Sequence, residues 1–568
     1  MDIQRLLLIA AGAVLSVMLL VEWTAFKEGK TASIERSRLV TDTQVTGIDS
    51  PLTSVDTGEQ STIEDDLPAV VEPTALTPNS ETVETQSTNR YIQVKTNTLE
   101  IVIDLMGGDI VEAALPEFPD RIDTPDMPFV MLEDNSTRTY IAQSGLVGPD
   151  GIDTKQRATY TATSSNFTMT GGQPLEVKLE YIDTERAVIV EKRYTFYPDS
   201  YVIDLAYELQ NNGNDPWQVV PFAQLKRDSS QAPAADQSGF GLQPFLGAAT
   251  TTPEDRFKKF SFDDIADDPW KANIQGGWIG IIQHYFVTAW IPNQDTNHNY
   301  STRQTRSGFN IAGFTSPAIV VAPHSSGNYA ARLYIGPKDQ YALAQLAPHL
   351  ELTVDYGWLW WIAQPLFWLL TKIQSFVSNW GIAIILLTVL VKGAFFKLSA
   401  ASYRSMAKMR AVQPKMQAIR EQYAEDKQKQ SQAMMELYKK EKINPMGGCL
   451  PVLIQMPVFI ALYWVLMESV ELRQAPFALW IKDLAVMDPY FVLPILMGAS
   501  MFFMQKLNPP PPDPMQAKIM QWLPVVFTFF FLWFPAGLVL YWVCNNLLSM
   551  TQQFVITRNI EREAALRK

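Results

Sequence analysis

A single lysine, Lys392, interrupts the stretch Trp380 to Phe396 (WGIAIILLTVLVKGAFF), which is otherwise free of charge. An ionisable group inside an apolar run of membrane-spanning character marks a functional site by default, because a buried charge there costs about 2.5 to 3.5 kcal/mol on insertion scales. Counted from Trp380 at roughly 1.5 Å per residue, Lys392 lies about 18 Å along a helix, past the bilayer midplane. From position alone its four-carbon stem could also snorkel to the inner interface. Its polar neighbours favour a wet site. Thr388 shares the lysine's helical face one turn earlier, Gln455 sits between Pro451 and Pro457 in a second apolar run, and Tyr541, Asn545, Asn546 and Ser549 lie in the last one. These polar stretches contain no Asp or Glu. The chemistry on offer is recognition rather than bond making: a hydrated cation among neutral hydrogen-bonding groups, able to attract an acidic guest.

Several apolar segments must position these groups. The first, residues 1–28, is long enough to span a hydrocarbon core of about 30 Å and lacks a small-x-small cleavage site after it, so it reads as an uncleaved anchor. Five more follow at 379–398, 449–467, 488–506, 518–534 and 538–556, giving six expected spans. Prolines do not disqualify them, since neighbouring helices can satisfy the freed backbone groups. Residues 355–376, with four Trp, little charge and Pro365 as an expected break, read as an amphipathic helix lying in the outer interface.

Charge orients the spans. The chain carries 46 Lys and Arg against 59 Asp and Glu. Between Lys27 and Ser378 the count is 25 against 45, whereas Lys392 to Lys442 holds 12 against 5 and the tail from Arg558 adds four more basic residues. Basic loops stay inside. This places a helical hairpin at 399–447 and a tail at 557–568 in the cytoplasm, both termini inside, and an acidic domain outside, most simply in a bacterial periplasm. The two cysteines, Cys449 and Cys544, both lie in apolar runs, so no disulfide framework is indicated.

That outer domain starts with a disordered tether, 29–89, rich in Ser, Thr, Asp, Glu and Pro. Residues 90–345 then show β-rich runs such as RAVIVEKRYTFY, separated by turn pairs such as Gly107-Gly108, and indicate an antiparallel sandwich. No carboxylate pair stands out, and His284, His298, His324 and His349 lack metal-ligand spacing. These charges are expected on the solvated surface and the histidines in ordinary loops. The domain reads as a scaffold, with no cofactor or metal expected.

The stretches NPMGGCLPVLIQMPVFIALYWVL (444–466), ELRQAPFALWIKDL (471–484), DPYFVLPILMG (488–498) and LWFPAGLVLYWVCNNLLSMTQQ (532–553) closely resemble the YidC/Oxa/Alb family of membrane insertases. The resemblance covers about 356–557. The large outer domain looks like the Gram-negative branch, whose inner-membrane members carry a periplasmic β-super-sandwich. It implies a five-helix core enclosing a groove open to cytoplasm and lipid, with one cation in its floor. That cation is usually Arg, and the matching position is Lys392. It also implies groove roles for Thr388, Gln455, Tyr541 and Asn545, and an apolar slide for clients at Met456, Phe459, Met520, Phe527 and Phe531. Where relatives commonly show two tyrosines, this chain has Tyr541-Trp542. The implied partners are nascent membrane proteins, the Sec translocon with its accessory subunits, the ribosome and the phospholipid bilayer, without DNA and without an energy-consuming reaction. Two other classes stay open on residues alone: a secondary transporter, or a membrane-anchored periplasmic sugar-binding or sugar-active protein.

Overall fold

Alternation governs the first half of the folded chain. The strand Val188–Phe196 (VIVEKRYTF) buries every second residue and half-exposes the others, as a strand with one face on a core must. The computed structural model describes residues 66–68, 90–230, 244–441, 450–507 and 514–566. The expected first anchor, most of the tether and Cys449 lie outside them. Among the described residues, twenty strands between Tyr91 and Pro337 form one sheet of eleven and one of nine. Nearly all neighbours are antiparallel, the exception being Gln93–Lys95 beside Asn166–Thr168. Ile101, Ile103 and Phe129 from the larger sheet meet Val190, Leu205 and Trp290 from the smaller in one continuous apolar core. The expected β-sandwich is therefore present. Two short helices accompany it, α1 (Phe262–Asp267) and α2 (Gln340–Leu346).

The sandwich departs from expectation in where it keeps charge. Arg157 pairs with Asp109 and, at 3.1 Å, with Asp153; these side chains are 9%, 6% and 0% exposed. Burial pushes the Asp153 carboxyl up. Lys192 takes a core-facing position of its strand, donates to the carbonyls of Gly107 (2.9 Å) and Ser144 (3.2 Å), and lies within 5.8 Å of the Tyr160, Tyr194 and Tyr207 ring centres. Burial drives its ammonium down to about 7. These are not solvated surface charges, as the composition implied, because each carboxylate is balanced by a cation a few residues to many strands away. Nor are all the histidines loop residues: His298 is buried in the strand Asn297–Gln304, and His284 is buried as well.

The remainder is helical. After a 3-10 turn at Gly357–Leu359 come α3 (Trp360–Val377), α4 (Trp380–Ala394), α5 (Phe396–Ala411), α6 (Gln413–Gln422), α7 (Lys427–Lys440), α8 (Leu450–Glu468), α9 (Val492–Leu507), α10 (Pro514–Phe530) and α11 (Ala536–Leu566). Several boundaries differ from those read in the sequence. Pro365 does not break α3, which continues through it because only one interior hydrogen bond is forfeited. The expected 379–398 span ends at Ala394, where the chain bends by 67° into α5. The expected hairpin at 399–447 has a divided first arm, α5 and α6. Its real turn is at Tyr423–Asp426, and α6 and α7 share a small core of Val412, Met416 and Leu437. The terminal tail is helical to Leu566. Among the described residues no single helix is long and apolar enough by itself to cross a membrane.

Close helix contacts need small residues. A Cβ on Gly381 would lie 2.0 Å from the Phe477 ring, and one on Gly498 would lie 1.8 Å from Thr528 Oγ1, so these positions admit only glycine without repacking. Asn379 caps α4 by accepting from the Ile382 amide at 3.0 Å and ties it to the α8–α9 loop through Phe477 O at 2.9 Å.

The sandwich docks on that same loop and on the end of α8. Lys338 meets Glu468, the last residue of α8, at 2.5 Å, with both side chains buried. His284 Nε2 lies 2.8 Å from Met467 O, and Arg473 lies over the rings of Phe129 and Phe286 while donating to Asp120 O at 3.1 Å. Burial, with Lys338 and Arg473 nearby, drives the His284 imidazole down to about 3. Since docking depresses this pKa, its contribution is fully present above about pH 6.5 and is lost as pH falls toward 3. Amide exchange at Met467–Gln474, corrected for intrinsic rate, is expected to accelerate between pH 6.5 and 5 by up to about 1.4 kcal/mol of protection per pH unit. His284→Gln, which cannot titrate, should remove that dependence. Separately, Arg157→Met should destabilise the sandwich by about 3 to 5 kcal/mol by stranding two buried carboxylates, measured as lost exchange protection along Val188–Phe196.

Candidate functional site

Three helices bring the polar residues together. Lys392 stands in the last turn of α4, Gln455 in the first half of α8, and Tyr541, Asn545 and Ser549 are spaced by four along α11, hence on one face. Lys392 Nζ donates to Ser549 Oγ at 2.8 Å and to Gln455 Oε1 at 3.2 Å. With its carbonyl oxygen engaged by the cation, Gln455 turns its amide Nε2 to donate to Asn545 Oδ1 and, at 3.4 Å, to Tyr541 Oη. Ser549 in turn donates to Asn545 O at 2.6 Å. Tyr541 and Ser549 are buried, whereas Lys392, Gln455 and Asn545 are half-buried. Among the described residues no carboxylate pairs with Lys392. Neutral oxygens therefore solvate the ammonium in place of a counter-ion, which leaves its positive charge uncompensated.

Four of the five expected groove residues thus join one network. Thr388 does not. Its hydroxyl donates to Ile384 O, one turn back on α4, at 2.7 Å and its side chain is buried between helices, because a threonine in a helix can satisfy itself on its own backbone. Ser549, one of the polar residues read in the last apolar run, is instead a ligand of the lysine. Asn546, on another face of α11, binds Ser500 of α9 at 2.9 Å.

The expected apolar slide divides as well. Phe531 is buried against Phe534 and Trp542, and Phe459 packs edge-on to Trp542 at 4.4 Å and beside Tyr541 at 6.2 Å. Phe527 stacks on Phe531 at 6.1 Å. These rings join α8, α10 and α11 directly beside the polar network, with Phe531 packed inward in this arrangement. Met520 is half-buried and Met456 is exposed. The outward face of α10 is instead formed by Trp522, Val525, Val526 and Phe529, all more than half exposed. Aromatic crowding at α10 and α11 was legible in the sequence, but which rings face inward was not.

Comparison with known proteins bears on the whole chain. The family model for the YidC periplasmic domain matches residues 91–369, and that for the 60Kd inner membrane protein matches residues 372–563. The membrane protein insertase YidC of Pseudomonas fluorescens strain SBW25 is 49% identical over 570 residues, covering 100% of this chain and 99% of that one. That of Azotobacter vinelandii is 50% identical over 571 residues, covering 100% of both. The chain belongs to the YidC family of membrane protein insertases. It is an inner-membrane protein with a periplasmic domain, and this family is one of insertases rather than of catalytic enzymes.

The geometry of the polar site is testable by its asymmetry. Gln455→Leu removes one ligand of Lys392 and leaves Asn545 and Tyr541 unpartnered, whereas Asn546→Ala touches only the contact to α9. The first is expected to cost about 1 to 3 kcal/mol for the orphaned polar groups and cation, and the second distinctly less. Steric-trap or denaturant unfolding of the reconstituted protein compares the two.

Proposed function

We propose that this chain inserts nascent membrane proteins into the bilayer through a hydrophilic groove whose floor cation is Lys392. The observation that carries the reading is the uncompensated charge: Lys392 has two neutral oxygen ligands from α8 and α11 and, among the described residues, no carboxylate partner. An ammonium has three N–H donors, so one is left for water or for an acidic residue of a client. An incoming hydrophilic tail is held there while its apolar segment moves out along α8 and α10, over Met456 and the exposed face of Trp522, Val525, Val526 and Phe529.

The dimensions favour this route. At about 1.5 Å per residue, α4 is about 22 Å long before the bend and α9 about 24 Å, against a hydrocarbon core of about 30 Å. Short helices around a hydrated site shorten the apolar path a polar tail must cross. The barrier removed is of order 2.5 to 3.5 kcal/mol per charge. No chemical step is required, since transfer of the client's apolar segment into lipid supplies the driving force.

In this reading the six spans include residues 1–28 and the segments built on α4, α8, α9, α10 and α11, the last five forming the core. Both termini and the basic α5–α7 region are cytoplasmic, and α3 lies in the outer interface with Trp358, Trp360, Trp361 and Trp368 exposed to it. The basic cytoplasmic helices fit contact with ribosomal RNA or anionic head groups. The family makes partnership with the Sec translocon part of the same reading.

Charge and geometry can be separated at one position. Lys392→Arg keeps the cation while changing its shape, and Lys392→Glu reverses it. Insertion of an acidic-tailed single-span client into proteoliposomes is expected to persist with Arg and to fall at least tenfold with Glu, as about 1.4 kcal/mol or more of lost stabilisation requires. Equal insertion by the two variants contradicts the proposal.

A further inference from the structure

The outward face of the eleven-stranded sheet has an apolar patch that the chain itself covers. Along the strand Trp217–Arg227, Val219, Ala223 and Leu225 face the sandwich core, so Phe222, Gln224 and Lys226 face outward. Phe222 is nevertheless fully buried, and Val147 of the neighbouring strand nearly so. Leu67 covers both, together with Val220.

Polar groups around the patch all address the residue before that leucine. Lys226 forms an ion pair with the Asp66 carboxylate. Gln224 Nε2 donates to Asp66 O at 2.7 Å, and Arg303 Nη2 donates to the same oxygen at 3.0 Å. The site continues into the domain: Gln224 Nε2 also donates to Gln143 Oε1 (3.0 Å), and Gln143 Nε2 donates to Asp109 (3.1 Å), the partner of Arg157. Pro68 follows Leu67, and a residue before proline is biased to extended backbone. Two cations, an amide and an apolar seat thus match one carboxylate, one carbonyl and one branched apolar side chain in sequence.

We propose that this face of the sandwich is a built docking site for an acidic-Leu-Pro segment, and that its resident occupant is the chain's own Asp66–Pro68. The tether is then fastened to the domain at two points, here and at the first strand. Docking also keeps Val147, Val220 and Phe222 from standing open as a sticky patch on a domain that works among unfolded apolar clients.

The test is limited proteolysis of the full-length protein in detergent with an endoproteinase that cuts before aspartate, the Asp66 cut being quantified by mass spectrometry. Cleavage there is expected to be at least about tenfold slower in the unaltered protein than in Lys226→Glu or Leu67→Ser, since a docked segment is cut only in its open fraction. Leu67→Ser lies outside the sandwich and so separates undocking from damage to the domain. Equal rates in all three proteins overturn the proposal, as does protection that survives both substitutions.

Discussion

The helical half places Lys392 among apolar helices with no carboxylate partner among the described residues. An ammonium placed among apolar helices must be solvated by something, and here the solvent is built from side chains: one amide oxygen from α8 and one hydroxyl from α11. A carboxylate partner would have neutralised the ammonium, whereas the amide and the hydroxyl leave its charge in place. Gln455 suits the role because an amide accepts at one end and donates at the other, so it can bind the lysine and still satisfy Asn545 and Tyr541. The aromatic layer of Phe459, Phe527, Phe531 and Trp542 beside it holds α8, α10 and α11 at the separation that this network needs.

The sandwich is coupled to the same machinery. Its contact with the membrane region includes Lys338 and Glu468 at the end of α8, the helix that carries Gln455. A buried ion pair of this kind is weak evidence for stability, since its desolvation offsets much of the attraction. It is better evidence for orientation, because the pair, the His284 contact and the Arg473 stack are satisfied together in one pose only. The internal cluster of Arg157, Asp109, Asp153 and Lys192 follows the same logic within the sandwich, where Arg157 meets Asp153 four residues away and Asp109 from a distant strand.

How far the sequence could be read depended on the range of the interaction. The β-sandwich was legible in period-two runs, and Lys392, Gln455, Tyr541 and Asn545 in their rarity or spacing, because a polar residue in an apolar run has few places to go. Ser549 shares the four-residue period of Tyr541 and Asn545 and was readable on that ground. That Thr388 stands apart from the polar network was not legible, because helical spacing places a hydroxyl on a face without revealing that it bonds to its own backbone. That Phe531 packs inward was not legible, because an aromatic run looks the same whether it faces lipid or a neighbouring helix. The 67° bend after Ala394 and the pairing of Asp109 with Arg157, 48 residues on, depend on tertiary packing and leave no local signal. Asp66–Pro68 looked like any other part of an acidic tether, since the polar partners of Asp66 lie more than 150 residues away.

The central claim is that Lys392 occupies a hydrated site that clients enter from the cytoplasmic side. The most direct measurement is the labelling of Lys392→Cys, with Cys449 and Cys544 replaced by Ser, by a membrane-impermeant maleimide in vesicles of either orientation. The account predicts labelling from the cytoplasmic face and its suppression when a ribosome-bound, acidic-tailed client is stalled on the protein. Labelling from the periplasmic face alone, or labelling from the cytoplasm that a stalled client leaves unchanged, would contradict it.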